Sequence, residues 1–284
     1  MAKNKLSMVS KKKSKKSKKP KKTVKKKQKK TQNKYTFKGK IIDVPFSDRI
    51  SLGSNASLGN INFHYRKYYN TFAFLKEIIK RNDKLKSLVC IPNIGLDWMQ
   101  AFLKVHFSKK SSSLNSINPV DLSVSKKQFI NEIKKCMTHR LIPINLEIIV
   151  PNIGTHANLI LIDTKKKTFE LFEPHGARNN KSKLEGITRA YFKVRKNVYK
   201  FVKINFPDYE FIPPSKYEPG EGLQARLDAY SGLCVTWCIL YLHYRVLNPD
   251  VPPKQLIIYL EKKIKRKELL RYTRYVEDVL KGKV

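Results

Sequence analysis

Cysteine is scarce in this sequence, and its spacing excludes several classes of protein. The 284 residues include only Cys90, Cys136, Cys234 and Cys238. No two of them have the C-x-x-C spacing, and no group of histidines and cysteines has the spacing of a zinc site. So few cysteines in a chain of this length also argue against a secreted disulfide scaffold. We therefore expect four free thiols in a reducing compartment, with no metal and no cofactor.

Long hydrophobic runs are also missing. No stretch reaches 18 consecutive apolar residues, so the sequence predicts no membrane-spanning helix and no contact with a membrane. The N-terminus lacks the apolar segment of a secretory signal peptide. These absences predict a protein that is not secreted and that is either intracellular or packaged inside a particle.

Acidic residues are absent from the first 34 positions, which contain 17 lysines. Like-charge repulsion and the shortage of apolar side chains prevent this segment from burying a core, so we expect a disordered lysine-rich tail over 1–34. Beyond the tail, 43 basic residues stand against all 22 acidic residues, so the rest of the chain is basic as well. Both parts attract polyanions, which predicts non-specific nucleic-acid contact through the tail and the folded surface.

Hydrophobic periodicity divides the remaining chain into two parts. Helical spacing predicts helices over 66–81, 97–107 and 125–138. Residues 35–130 are therefore expected to form a mostly helical N-terminal extension. A compact core then spans 131–284.

Within this core, three short runs predict an antiparallel meander of strands. They cover 146–150, 156–163 and 168–173, and a polar turn separates the last two. Residues 234–247 are apolar nearly all round, which is typical of a buried helix. The sequence thus predicts an α+β fold in which a small antiparallel sheet packs on this helix.

Three other segments complete the core. Residues 182–205 have the spacing of a long amphipathic helix, and 253–282 predict one or two basic helices. Between them, the Pro- and Gly-rich residues 206–222 predict a loop.

Chemistry-bearing residues occur at the ends of these elements. His156 begins one predicted strand and Glu173 ends the next, so the hairpin brings both to the same edge of the sheet. A glutamate there can accept the imidazole Nδ1–H, fix the tautomer and stabilise the imidazolium. Cys234 opens the buried helix, where the helix dipole favours a thiolate. The three residues predict a catalytic set for nucleophilic chemistry.

These residues and their spacing resemble the adenovirus-type and ubiquitin-like-protein-specific (Ulp-type) cysteine peptidases. The resemblance rests on His156 with its apolar strand, Phe-Glu-Pro-x-Gly at 172–176 and Gly-x-Cys-x-x-Trp at 232–237. It covers roughly residues 140–250. The variant with His-Ala-Asn and Phe-Glu-Pro-His-Gly looks most like the proteases of large DNA viruses. The resemblance implies a papain-like cysteine peptidase core over 131–284, with these His, Glu and Cys residues as its catalytic set.

The region before the nucleophile departs from the family pattern. The family has a glutamine six or seven residues before the nucleophile, which helps to line the oxyanion hole. Here Gln224 lies ten residues before Cys234 and seven before Ser231. In one interpretation a short insertion moves the nucleophile to Cys234, and in the other Ser231 replaces it and the site is weak or inactive. We favour Cys234, because a serine would lose the easily formed thiolate, and we take Gln224 as the oxyanion candidate.

The resemblance also implies what such a peptidase would do. A monomer of this kind would act on a polypeptide substrate, either viral structural precursors during virus maturation or ubiquitin-like conjugates, in a virion or in the cytoplasm or nucleus of a host cell. An alternative is a catalytically inactive, basic nucleic-acid-binding protein of virions or chromatin on the same fold. An acyltransferase with a similar catalytic set would need an acyl-donor site, of which the sequence shows no sign.

Overall fold

A computed structural model describes most of the chain from residue 39 onward, all within a compact unit that spans 37–284. The described residues are 39–46, 69–92, 102–106, 118–119, 126–150, 154–177, 185–218, 220–227 and 233–283. The predicted lysine-rich tail over 1–34 lies outside them.

A six-stranded sheet forms the centre of the fold. In chain order its strands are β1 Phe102–His106, β2 Asn118–Pro119, β3 Leu141–Val150, β4 Gly154–Asp163, β5 Thr168–Phe172 and β6 Glu210–Ile212. Their order across the sheet is β2-β1-β3-β4-β5-β6. The three central strands pair antiparallel, as predicted, whereas β1 is parallel to β3 and β6 is parallel to β5. The sheet is therefore wider than the predicted meander, and mixed.

Helices pack on both faces of this sheet. They are α1 Tyr69–Lys80, α2 Asp83–Leu88, α3 Lys126–Lys135, α4 Glu185–Asn205, α5 Leu223–Leu227, α6 Cys234–Leu247, α7 Pro253–Lys263 and α8 Arg266–Leu280. Within the described segments, none of them has both the length and the hydrophobicity that crossing a membrane requires.

The helix α6 covers one face of the sheet, and α3 and α4 cover the other. Within 159–162 of β4, the odd-numbered side chains join the apolar cluster around α6, and the even-numbered ones join the cluster around α3 and α4. Successive residues of a strand point to opposite faces, so this unbroken apolar run is buried on both sides. Every residue of α6 except Leu247 is buried, which agrees with its uniformly apolar sequence. The predicted α+β class and the packing of the sheet on this helix are confirmed.

A buried ion pair ties α6 to β5. The carboxylate of Glu170 accepts a hydrogen bond from Arg245 Nη2 at 3.1 Å and a second one from the hydroxyl of Tyr241. Glu170 is 4% exposed and Arg245 is 1% exposed. The guanidinium also donates to two main-chain carbonyl oxygens just beyond the end of α6. The contact therefore fixes the helix that begins at Cys234 against the strand that leads to Glu173.

The described N-terminal segment, 39–46, docks near the C-terminal end of α6. The side-chain amide of Asn248 accepts from the Ile42 N–H at 2.6 Å and donates to the Ile42 carbonyl at 2.8 Å. Asp43 accepts hydrogen bonds from Tyr244 and Tyr259. These contacts attach the segment without a β-ladder.

One predicted helix is wrong in part. Within 97–107, residues 102–106 form β1, whose sequence alternates apolar and polar residues from Leu103 onward and pairs with β3. Pairing with a distant strand outweighs the local helical spacing here. The preceding part, 97–101, lies outside the described residues.

The other predicted helices are confirmed to within a few residues. Residues 66–81 and 182–205 correspond to α1 and α4 as far as they are described, and 253–282 hold both α7 and α8. Of the predicted helix over 125–138, Lys126–Lys135 form α3 and Cys136–Thr138 form a 3-10 turn. The predicted loop over 206–222 additionally supplies β6.

The expectation of four free thiols is wrong. Cys90 and Cys136 form a disulfide, with their Cα atoms 5.4 Å apart, whereas Cys234 and Cys238 are free. The Cys90 N–H donates to the carbonyl of Leu141 at the start of β3, close to the turn that follows α3. The two half-cystines are 46 residues apart in sequence, so only the tertiary fold brings them together.

The buried ion pair between β5 and α6 generates a stability prediction. Arg245→Met leaves the Glu170 carboxylate without its cation, and we expect the free energy of unfolding to fall by about 3–5 kcal/mol. Adding Glu170→Leu removes the stranded charge and should recover much of that loss. Urea unfolding followed by circular dichroism measures both changes. A loss below about 1 kcal/mol in the single variant would contradict the assigned role of the pair.

Candidate active site

His156, Glu173 and Cys234 meet at one edge of the sheet. The Nε2 atom of His156 lies 2.6 Å from Glu173 Oε1, and the thiol side chain of Cys234 is hydrogen-bonded to the same imidazole. Their exposed fractions are 8%, 1% and 8%, in the order His, Glu, Cys. The structure thus brings together the three residues that the sequence singled out.

Strand register and helix packing produce this meeting. Leu159 of β4 lies opposite Phe172, the last residue of β5, so Glu173 leaves the sheet beside the residues that begin β4. The helix α6 starts at Cys234 and packs on the same strands through its apolar side chains. The Phe172 ring stacks on Tyr241 of α6, with ring centroids 4.0 Å apart.

The imidazole is oriented differently from the sequence-based expectation. Glu173 contacts Nε2 and not Nδ1. The Nε2 atom lies at the far end of the ring and can reach the neighbouring strand, whereas Nδ1 lies next to Cβ. Because Glu173 occupies Nε2, Nδ1 is the ring nitrogen available to Cys234. The carboxylate still fixes the tautomer, but through the opposite nitrogen.

The electrostatics favour a charged imidazole beside a thiolate. Burial alone would lower the pKa of His156, but the negative charge of Glu173 and hydrogen bonds with Cys234 and Glu173 raise it to about 10. Burial alone would raise the pKa of Cys234, but the hydrogen bond and positive charge of His156 lower it below the usual value for a thiol. The N–H groups of Ala157 and Val235 lower it further. The proton is therefore most stable on the ring.

Glu173 keeps its negative charge although it is buried. Burial would raise its pKa, but the charge and hydrogen bond of His156 lower it, followed by the charge and backbone N–H of His175. That N–H donates to Glu173 Oε1 at 2.9 Å. A buried carboxylate with two donors on one oxygen is a stable partner for an imidazolium.

Gln224, the oxyanion candidate, lies next to this pair. Its backbone N–H donates to the carbonyl of Pro174 at 2.9 Å, directly after Glu173. The side chain is 2% exposed, and its Oε1 has no hydrogen-bond partner among the described residues. Gln224 belongs to α5, which packs against α6. That its amide serves an oxyanion beside Cys234 stays a prediction.

Two glycines hold the Gln224 segment against the end of β5. The Gly222 N–H donates to the carbonyl of His175 at 2.8 Å, and Gly176 forms an antiparallel bridge with Glu221. A Cβ on either glycine would lie closer than 3.0 Å to the backbone of the other, and Gly176 has a φ of 78°. The final glycine of the Phe-Glu-Pro-x-Gly run therefore permits the close approach that positions Gln224.

Side chains that the sequence did not point to also support this turn. Arg195 of α4 donates through Nη2 to the Gly176 carbonyl at 2.8 Å. Glu218 accepts from Arg226 of α5 at 3.2 Å, and burial raises the pKa of Glu218 to about 8, against the lowering effect of Arg226. Neither residue lies in a recognisable motif, so only the fold reveals these contacts.

His175 is the largest omission from the sequence-based site. The sequence gives it no role in the catalytic set, whereas its ring centroid lies 4.8 Å from that of His156, at an interplanar angle of 39°. The only sequence signal was its position two residues after Glu173.

The two nucleophile candidates differ in what the structure describes of them. Cys234 has a buried helix-start position and a hydrogen bond to His156, whereas Ser231 lies outside the described residues. Cys238, one turn further along α6, is buried, and burial raises its pKa well above the usual value, as do the charges of Cys234 and Glu173. Cys238 therefore stays a neutral thiol.

Over the described part of the chain, no group of three or more His, Cys, Asp or Glu residues could hold a metal ion.

Comparisons with known proteins give only distant similarity. No protein-family model matches the sequence, and no curated protein matches it. Among solved structures, the chain is similar to ChlaDub1 from Chlamydia trachomatis at 12% identity, with a TM-score of 0.41 over 76% of this chain and 93% of that one. A second structure of the Chlamydia trachomatis effector protein ChlaDUB1 gives 12% identity and a TM-score of 0.33, over 77% and 73% of the two chains.

The close approach of the two glycines can be tested with a matched pair of variants. Gly222→Ala forces a methyl group into the backbone of 174–176 and should lower the free energy of unfolding by about 1–3 kcal/mol. Gly220→Ala, where a Cβ meets nothing within 4 Å, is the control and should leave stability almost unchanged. Thermal unfolding measures both. Equal stability of the two variants would contradict the proposed contact.

Proposed function

We propose that this chain is a cysteine peptidase with a papain-like core, in which Cys234 is the nucleophile. The observation that carries the proposal is the buried, hydrogen-bonded series Cys234–His156–Glu173 at the start of α6. Each position has the chemistry that its role requires: a thiol with a lowered pKa, an imidazole with a raised pKa and a carboxylate that stays ionised. This combination is characteristic of activated nucleophiles.

The proposed reaction is acyl transfer in two steps. The Cys234 thiolate attacks the scissile carbonyl carbon, and the resulting tetrahedral oxyanion is held by backbone N–H groups near Cys234 and by the Gln224 amide. The His156 imidazolium gives its proton to the leaving amine as the C–N bond breaks, which leaves a thioester. His156 then takes a proton from water, which attacks the thioester and releases the acid and the thiolate.

Glu173 acts through His156 in this scheme. Its charge stabilises the imidazolium, and its hydrogen bond to Nε2 directs Nδ1 towards the sulfur. Because the pair is buried, the attraction between the two charges is stronger than it would be in water. The carboxylate itself stays ionised throughout the reaction.

The proposed substrate is a polypeptide, and two classes fit the sequence resemblance. One is a set of structural precursors of a large DNA virus, cleaved during maturation, and the other is ubiquitin-like conjugates. Of the predicted locations, the virion fits the Cys90–Cys136 disulfide best, because disulfides persist on virions and are rare in the cytosol and nucleus.

Non-specific nucleic-acid contact is the remaining part of the proposal. Lys196, Lys200 and Lys203 are exposed and follow helical spacing along one side of α4. Together with the formal charge of +38, this row supports attraction to phosphate backbones. The charge is equally the observation that favours the second candidate function, a catalytically inactive nucleic-acid-binding protein on the same fold.

Reaction with an electrophilic peptide distinguishes the two candidates. A peptide vinyl sulfone ending in Gly-Gly should modify Cys234, and His156→Ala should slow the modification by about 10²-fold or more. Mass spectrometry of the labelled protein locates the site. Cys238→Ser, which changes a neutral buried thiol, is the matched control and should label like the wild type. Slow labelling of both free cysteines at similar rates would favour the inactive protein, and labelling at Ser231 would move the nucleophile.

The pKa directions predict the pH dependence of thiol reactivity. An ordinary cysteine has roughly 0.3% thiolate at pH 6, whereas the lowered pKa of Cys234 keeps its thiolate populated there. Iodoacetamide should therefore alkylate Cys234 rapidly at pH 6, with a rate that falls as the pH drops through the lowered pKa of Cys234. The imidazolium persists up to the raised pKa of His156, about 10. The thiolate–imidazolium pair therefore exists between the lowered pKa of Cys234 and this value.

Glu173→Gln removes the charge that raises the pKa of His156. The upper pH limit of the thiolate–imidazolium pair should then move to lower pH, and alkylation at pH 6 should slow by roughly tenfold or more, because one pKa unit is a factor of ten. Stopped-flow alkylation from pH 4 to 11 measures the change in thiolate reactivity, and an NMR titration of the His156 ring measures the upper limit of the pair. A profile that coincides with that of a free cysteine, in the wild type, would contradict the ion pair.

A further inference from the structure

We infer that His175 is a positioning residue for the proposed reaction, which acts by holding one face of the His156 imidazole. The inference rests on the proposed function, because it assigns the residue to the same catalytic pair. It concerns a side chain that lies outside the Cys–His–Glu set.

The backbone of His175 is fixed on both sides. Its N–H donates to Glu173 Oε1 at 2.9 Å, and its carbonyl accepts from Gly222 at 2.8 Å. The Gly176 carbonyl that follows is held by Arg195. The side chain therefore leaves a rigid turn, and it packs on His156 with ring centroids 4.8 Å apart. Its position is determined by the same contacts that determine the position of Glu173.

This packing restricts tilting of the His156 imidazole, a motion that the hydrogen bond to Glu173 does not prevent. The hydrogen bond at Nε2 fixes one atom of the ring, and a tilt of the imidazole about that atom would move Nδ1 away from Cys234. An aromatic face at 4.8 Å opposes the tilt. An aromatic ring beside an imidazolium also attracts it, which stabilises the thiolate–imidazolium pair.

Three side-chain variants separate these contributions, because all of them keep the backbone bonds to Glu173 and Gly222. In a Cys238→Ser background, iodoacetamide rates at Cys234 are measured from pH 4 to 11. His175→Ala and His175→Asn remove the ring, and each should slow alkylation at pH 6 roughly fivefold, the size of a modest cation–π contact. His175→Phe keeps an aromatic ring at this position, so it should restore the rate to within about twofold.

The matched control is His139→Ala, which removes a histidine whose ring is hydrogen-bonded to the adjacent Thr138. Melting temperatures show whether each variant is folded, and the two ringless variants replace each other if one is not. Wild-type rates in His175→Ala, or a loss in His175→Phe equal to that in His175→Ala, would overturn the inference. Failure of the proposed function looks different: the wild type itself would then lack rapid alkylation at pH 6, or His156→Ala would not change it.

Discussion

The ion pair between Glu170 and Arg245 is the contact on which the geometry of the site depends. It lies entirely inside the protein and joins the last turn of α6 to the middle of β5. Cys234 stands at the opposite end of that helix, about 16 Å away at 1.5 Å per residue. Because the helix is rigid, a displacement of one end also displaces the other. The Glu170–Arg245 ion pair therefore sets the position of the Cys234 sulfur relative to the sheet. Buried ion pairs add little net stability, and their best-attested contribution is to select one arrangement.

Main-chain hydrogen bonds then connect the end of β5 to other parts of the site. Glu173 follows β5 directly, and the next carbonyl, that of Pro174, receives the N–H of Gln224. Glu173 and Gln224 are thus both attached through the main chain to the end of β5, within two residues of its last residue. Such a site depends less on long flexible side chains than on main-chain hydrogen bonds, which lose little entropy when substrate binds.

Local patterns predicted the central part of this arrangement, and distant contacts account for what they missed. The β4–β5 hairpin and the buried helix were visible in the sequence because their signals, a short turn between apolar runs and a uniformly apolar segment, are local. The parallel pairings of β1 and β6 and the disulfide join residues far apart in the chain, which no periodicity encodes. The choice of Nε2 over Nδ1 and the packing of the His175 ring on His156 depend on side-chain rotation, so only the assembled edge of the sheet reveals them.

The docking of 39–46 connects this segment to the helix that carries Cys234. Asn248 holds the segment beyond the C-terminal end of α6, whereas the sulfur of Cys234 lies at the N-terminal end. A change in how Asn248 holds 39–46 would therefore act on the same rigid element that carries the sulfur, which couples a distant surface contact to the geometry of the thiol.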